Sequence, residues 1–326
     1  MRRLIAFVRL GRPQFLVGGF VLYGLGGALA VASGAAFDPW RYAWGQLVVT
    51  ATQLMTHYAN DYFDLEADRA NRTPTRWSGG SRILPDGALA PVVALRASRV
   101  LLLVAAGAAA SMAVVPARRV GVGPLLLSAA MIVLAWGYSA PPLRLCARGL
   151  GELTTALVVT LLVPLFGYDL QAGALAAPIF FAAALPCALQ FAMLLAIEFP
   201  DAAGDAAVGK RTLVVRLGAL PAARLYAATT LAAFGALPLL ARAGLPGRVA
   251  AAPLLLAPVA IWQSVRVARG AYRDSARWGS VAFWAVALLI AGAGVELAAV
   301  ATMATAGATA TAGAAATAGA AATAGD

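Results

Sequence analysis

Long apolar runs alternate with short charged segments along this chain. Nine runs approach the roughly 20 residues a helix needs to cross a bilayer. They lie near 14–34, 43–62, 97–115, 122–138, 151–170, 175–197, 223–243, 248–267 and 279–301. The pattern predicts an all-α membrane protein with about nine transmembrane helices. Arg2, Arg3, Arg9 and Arg12 precede a run that ends in Ala28-Leu29-Ala30. That arrangement imitates a signal peptide, but the length of the run and the eight that follow favour an uncleaved first span. From 302 the pattern stops. Thr-Ala-Gly recurs at 305, 311, 317 and 323 without bulky apolar residues. Residues 1–301 are therefore read as one polytopic domain and 302–326 as a disordered tail.

Composition sharpens this picture. Of 326 residues, 61% are hydrophobic and 12% charged, and the mean hydropathy is +0.80. Those values exclude a soluble globular enzyme and a disordered chain. The net charge of +11 could point to nucleic acid, but the bases punctuate apolar runs and form no basic domain. They read as topology instead. With the N-terminus in the cytoplasm and nine alternating spans, 20 of the 25 basic residues fall inside. Only Arg41, Arg118, Arg119, Arg242 and Arg248 fall outside. This predicts a multi-pass protein of the inner cell membrane with its C-terminus outside. Two cysteines, Cys146 and Cys187, build no disulfide framework, and His57 is the only histidine.

Half of the 14 acidic residues sit in two clusters: Asp61, Asp64, Glu66 and Asp68 after the second span, and Glu198, Asp201 and Asp205 after the sixth. Both fall on the cytoplasmic side, four spans apart, which hints at two related halves. At 100° per residue, Asn60, Asp64, Asp68 and Asp61 fall at 0°, 40°, 80° and 100° on one helix face. Glu66 falls at 240° and points away. The stripe extends back through Gln46, Thr50, Gln53 and His57. On a spanning helix such a stripe faces protein or a polar cavity, not lipid. Carboxylates gathered on one face need neutralising, by nearby arginines or by a divalent cation. Hard oxygen ligands favour magnesium, which shares its shell with water and phosphates. Asp201 and Asp205 stand one turn apart and precede Gly209-Lys210-Arg211-Thr212, which contains the only lysine of the chain. Acids followed by a basic turn suit a metal-bridged polyphosphate.

Asn60-Asp61-Tyr62-Phe63-Asp64-Leu65-Glu66-Ala67-Asp68 resembles the N-D-x-x-D-x-x-x-D signature of the UbiA superfamily of intramembrane prenyltransferases. Asp201-Ala202-Ala203-Gly204-Asp205 resembles its second, D-x-x-x-D signature. The resemblance covers roughly residues 1–300. Ser78-Gly79-Gly80-Ser81-Arg82, Gly137-Tyr138-Ser139-Ala140-Pro141-Pro142, Arg148-Gly149-Leu150-Gly151-Glu152 and Gly209-Lys210-Arg211-Thr212-Leu213 are similar to the 1,4-dihydroxy-2-naphthoate branch of menaquinone synthesis. That branch often carries two asparagines where this chain has Ile197-Glu198.

The resemblance implies that a polyprenyl chain leaves its diphosphate and is attacked by an electron-rich aromatic acceptor. It implies Mg2+ held by Asn60, Asp61, Asp64 and Asp68 in one region and by Asp201 and Asp205 in the other, with Asp64, Asp201 and Asp205 catalytic. Lys210 and Arg211 become diphosphate ligands beside Asn60, with Arg72, Arg82 and Arg144 as further candidates. His57, Gln53, Tyr138 and Ser139 are expected in the substrate pocket. Tyr62, Tyr138 and Phe191 are candidates to steady an allylic cation with their π faces. Glu152 is expected to favour a helix dipole, and Glu198 to pair with an arginine or join the metal site. The partners implied are a polyprenyl diphosphate, the aromatic acceptor and membrane lipid, with no nucleic acid. Two alternatives stay open: prenylation of 4-hydroxybenzoate or another small aromatic, and an ion-coupled secondary transporter. A transporter expects acids near the bilayer midplane, whereas these sit at span ends.

Overall fold

Prolines at the first turns of several apolar segments start helices where a missing N–H costs nothing, among them Pro39 and Pro91. A computed structural model describes residues 1–115 and 119–323, and no strand occurs among them. The helices are α1 (Arg2–Leu10), α2 (Leu16–Ala32), α3 (Pro39–Phe63), α4 (Leu65–Ala70), α5 (Pro91–Val114) and α6 (Val122–Ser139). Next come α7 (Gly151–Thr155), which continues through π-helical turns at Ala156–Leu162 into α8 (Val163–Ala172), and then α9 (Ala177–Glu198). The chain closes with α10 (Ala202–Ala207), α11 (Leu213–Leu217), α12 (Ala219–Ala243), α13 (Gly247–Ala251), α14 (Ala257–Ala268) and α15 (Ser275–Thr323).

All nine apolar runs fall on helices. Among the described residues, eight helical segments are long and apolar enough to cross a membrane. The second run, on α3, has the length, with 25 residues. It falls short in hydropathy, because Gln46, Gln53, His57, Asn60 and Asp61 interrupt it. Arg118, expected on the outer side, lies outside the described residues. The boundary set at 302 does not coincide with a helix end, since α15 continues to Thr323.

The helices pack as two groups. α2, α3, α5, α6 and α8 surround a core that includes Leu22, Met55, Met131 and Phe166. α9, α12, α14 and α15 surround another that includes Leu189, Tyr226, Phe234 and Leu288. The groups meet where α2 lies against α15 and where α9 lies against the π-helical turns. Large apolar side chains such as Leu103, Leu239 and Leu255 point outward, each more than 60% exposed. In water such a surface would be a liability; against acyl chains it is the matching solvent.

With lipid on one side and helices on the other, close approach depends on small residues. α2 and α8 touch through Gly26, where a Cβ would collide with the Pro164 carbonyl oxygen. That obstacle is backbone and cannot rotate away. Overpacking of this kind costs about 1–3 kcal/mol. Gly26→Ala is therefore expected to lower the melting temperature in detergent, whereas Gly107→Ala, which meets nothing within 4 Å, is expected to leave it unchanged. Equal melting temperatures in all three proteins would contradict this packing.

Candidate active site

α3 ends at Phe63, and the chain turns at Asp64 before α4 begins. α9 ends at Glu198 and α10 begins at Ala202. α4 and α10 then lie against each other, so the two acidic motifs face one cavity. Gly204 permits this approach, because a Cβ there would stand 2.9 Å from the Asn71 backbone nitrogen. The contact is locked by polar groups. Asn71 Nδ2 donates to Asp201 Oδ1 at 2.6 Å, and the Gly79 N–H donates to Asp201 Oδ2 at 3.1 Å.

Lys210 joins the motifs directly. Its ammonium lies 2.8 Å from Asp64 Oδ2 and 3.4 Å from Asp205 Oδ1. Asn60 Nδ2 donates to Asp64 Oδ2 at 2.8 Å and to Ser139 Oγ at 3.1 Å. Asp68 is buried with its Oδ2 unpartnered. Burial pushes its carboxyl up to about 8 against the pull of Arg12, with Asp61 and Asp64 adding to the rise. Burial likewise raises Asp205 to about 6 although Lys210 opposes it, and raises Asp201 against the Gly79 hydrogen bond. The site has gathered more negative charge than its own cations neutralise.

The cavity runs inward from these carboxylates. Val158, Val159, Met193, Leu194, Leu289 and Ile290 line its apolar part. Of the residues expected at the site, Asn60, Asp64, Asp68, Asp201, Asp205, Lys210, His57, Gln53 and Tyr138 all line the cavity. Ser139 stands behind Asn60 as its hydrogen-bond acceptor. Glu66 is exposed, as its helix angle predicts.

Other residues expected at the site stand away from the cavity lining. Asp61 does not line the cavity. It is fully buried, forms an ion pair with Arg12, and accepts hydrogen bonds from the Ser81 hydroxyl and N–H. Arg12 and Ser81 are the partners of its carboxylate oxygens in this structure. Arg72, Arg144 and Arg211 are exposed and do not line the cavity. Arg82 donates to the Asp68 carbonyl and to Asp86, also outside the lining. Tyr62 and Phe191 are absent from the wall, and Phe15 and Trp77 supply its aromatic faces beside Tyr138. Glu198 lines the cavity with Asp201 and Asp205, and among the described residues no arginine forms an ion pair with it.

Arg12 is the main residue the pattern concealed. It counted as one of four basic residues marking the cytoplasmic side, yet it reaches Asp61 and Asn60 Oδ1 and lines the cavity. Asn71 and Gly204 were equally hidden, although a glycine inside an acidic helical motif was a readable sign of close packing.

A divalent cation of the magnesium kind fits this donor set. The carboxylates are hard oxygen ligands, Asp68 offers a free buried oxygen, and an ammonium already occupies the space between Asp64 and Asp205. Among the described residues, no three His, Cys, Asp or Glu side chains converge to hold a metal ion unaided.

Comparison with known proteins gives a consistent result. The UbiA prenyltransferase family matches residues 20–287. A digeranylgeranylglyceryl phosphate synthase structure is 16% identical, with a TM-score of 0.62 over 93% of this chain and 100% of its own. A UbiA homologue from Archaeoglobus fulgidus, bound to GPP and Mg2+, is 14% identical, with a TM-score of 0.60 over 89% of this chain and 99% of its own. The apo structure of a UbiA homologue from Aeropyrum pernix K1 is 18% identical, with a TM-score of 0.58 over 83% and 97%. At these identities the likeness is one of fold. No curated protein sequence matches this chain.

Proposed function

Because this chain belongs to the UbiA prenyltransferase family, we propose that it transfers a polyprenyl chain from its diphosphate to 1,4-dihydroxy-2-naphthoate, with Mg2+, in menaquinone synthesis. The observation that carries the reading is the Lys210 ammonium held between Asp64 and Asp205, at the mouth of an apolar cavity. An array of acids with the cations Lys210 and Arg12 beside an apolar chamber suits a ligand with an anionic head and a hydrocarbon tail. The A. fulgidus homologue holding GPP and Mg2+ supports the same reading.

Asn60, Asp64, Asp68, Asp201 and Asp205 would hold the magnesium. When bound, it supplies the positive charge that lets a diphosphate leave. Lys210 adds direct charge to the diphosphate oxygens once its carboxylate partners are engaged elsewhere. The C1–O bond breaks with its electron pair staying on the diphosphate. A π pair of the acceptor ring forms the new C–C bond, and the ring regains aromaticity by losing the acceptor's carboxylate as CO2. Phe15, Trp77 and Tyr138 give the electron-poor allyl group π faces, and the apolar wall keeps water from it. The naphthoate acceptor rests on the four short motifs given above. The skewed distribution of basic residues supports both acidic motifs opening to the cytoplasm.

Membranes containing the protein, given geranylgeranyl diphosphate and 1,4-dihydroxy-2-naphthoate, should yield a prenylated, decarboxylated naphthalene with magnesium and none with excess chelator. Product from 4-hydroxybenzoate alone would keep the reaction class and replace the acceptor. Absence of product and of diphosphate release, across donor lengths and acceptors with folded protein, would overturn the reading.

A further inference from the structure

A carboxamide inside a membrane-spanning helix is costly unless something bonds it. Gln190 is such a group. It lies on α9, about 12 Å of helix rise inward of Glu198. It is 6% exposed and lines the cavity, yet its side chain makes no hydrogen bond among the described residues. The uncharged polar side chains that α3 and α7 contribute to the wall are spent within the protein. Gln53 Nε2 and His57 Nδ1 bond to the Phe15 and Gly11 carbonyls at 3.0 and 2.7 Å. Thr56, Thr154 and Thr155 return their hydroxyls to carbonyls one turn back. The Thr52 hydroxyl is sealed from the cavity. The Gln190 amide is not sealed, so it meets the chamber with its donors and acceptor unused.

The step along the chain that carries Asp64 and Asp68 onto Asp201 and Asp205 also carries Gln53 onto Gln190. The two glutamines differ in what they hold. Gln53 ties α3 to the residue before α2, whereas Gln190 ties nothing. Its stretch of α9 is anchored one turn earlier, where Thr160 Oγ1 donates to Cys187 Sγ at 3.3 Å. Thr160 belongs to the π-helical turns, and Val158 and Val159 from those turns line the cavity. Turns of this kind are frequent at functional sites. Here they shape the apolar wall against the same helix that presents the unspent amide.

We propose that the Gln190 carboxamide binds a ring hydroxyl of the aromatic acceptor, taking the hydroxyl's hydrogen bond at Oε1. The inference rests on the prenyl-transfer reading and specifies its acceptor subsite. The divalent cation and the diphosphate belong with the carboxylates, about two helical turns away, and a lone amide offers a cation no charge. An isoprenoid tail has no hydrogen-bonding group and would leave the amide unsatisfied. An aromatic acceptor carries hydroxyls, and an uncharged amide sets no like charge against its carboxylate. The depth also fits. As the C1–O bond breaks, C1 is open on the side facing away from the diphosphate. The ring must reach it from there, at about 3–3.5 Å, and that side is the inward one. A hydroxyl held at Gln190 then fixes how the ring is turned towards C1.

The test compares 1-naphthol with 1-methylnaphthalene, in which a methyl of similar size replaces the hydroxyl, by titration calorimetry on detergent-solubilised protein without donor. Gln190→Met keeps the shape and removes the amide. Its preference for the naphthol should fall about five- to tenfold below that of wild type, the scale of one neutral hydrogen bond. It should melt no lower than wild type, because the amide it removes has no protein partner. Gln53→Met, which strips the Phe15 carbonyl of its donor, should melt lower. In the transfer assay Gln190→Met should raise the acceptor KM about five- to tenfold while the donor KM stays within about twofold. An unchanged preference in Gln190→Met would overturn the proposal and leave water as the partner of the amide. A melting loss as large as that of Gln53→Met would also overturn it, by giving the amide a structural role. Naphthol binding that depends on Gln190, without magnesium-dependent transfer by wild type, would instead overturn the reading beneath it and leave the hydroxyl site standing.

Discussion

Asp64→Ala is expected to lower kcat/KM by about 10³-fold, while Glu66→Ala stays within about twofold of wild type. The two acids are two residues apart in one motif, so composition and local charge treat them alike. Geometry separates them. Asp64 is buried and receives hydrogen bonds from Asn60 and Lys210, whereas Glu66 faces solvent. Removing Asp64 deletes a hard oxygen ligand and leaves the Lys210 ammonium with Asp205 alone. Asp64→Asn is the stricter variant, because it keeps the shape and removes only the charge. It is expected to lose nearly as much activity and to need more magnesium for what remains. A magnesium titration of product formation on the three proteins checks this. Equal losses at Asp64 and Glu66 would mean that bulk acidity, and not one helix face, governs the reaction.

The contrast also shows which parts of the site were legible in the sequence. The stripe Gln53, His57, Asn60, Asp64 and Asp68 obeys helical spacing, so its shared face could be read from numbers alone. All five line the cavity. The same arithmetic placed Asp61 on that face and was incomplete, because it knows nothing of residues far along the chain. Arg12, 49 residues earlier, claims Asp61 once α2 packs beside α3. Ser81 claims it from the other side. Periodicity likewise located the helices, since a bilayer demands long apolar runs. It could not show that α4 lies on α10 or that Gly204 admits Asn71. The arginines at 72, 144 and 211 are exposed and stand outside the cavity lining. Sequence spacing alone does not separate a solvated charge near an acidic motif from one that meets a ligand.

Lys210→Ala is expected to lower kcat/KM for the donor about 100-fold and to make the metal-free protein markedly less stable. In the wild type, burial works to strip the proton from Lys210. Asp64 and Asp205 more than reverse that and hold its pKa well above the usual lysine value. The ammonium is thus a permanent charge between two buried carboxylates. Breaking such a pair by deleting one partner costs about 3–5 kcal/mol, most of it from charges left uncompensated. The remaining acids must bind protons or a cation. Magnesium should therefore raise the melting temperature of Lys210→Ala more than that of wild type, since in the variant it no longer competes with the ammonium. Lys210→Arg keeps the charge, so its metal-free stability should stay near wild type. Its activity should fall, because a guanidinium fork cannot pass from two carboxylates to a diphosphate as a point charge can. Melting curves of the three proteins with magnesium and with chelator decide the matter. If magnesium stabilises all three equally, Lys210 does not share a site with the cation, and its contact with Asp64 and Asp205 serves only to hold α10 against the end of α3.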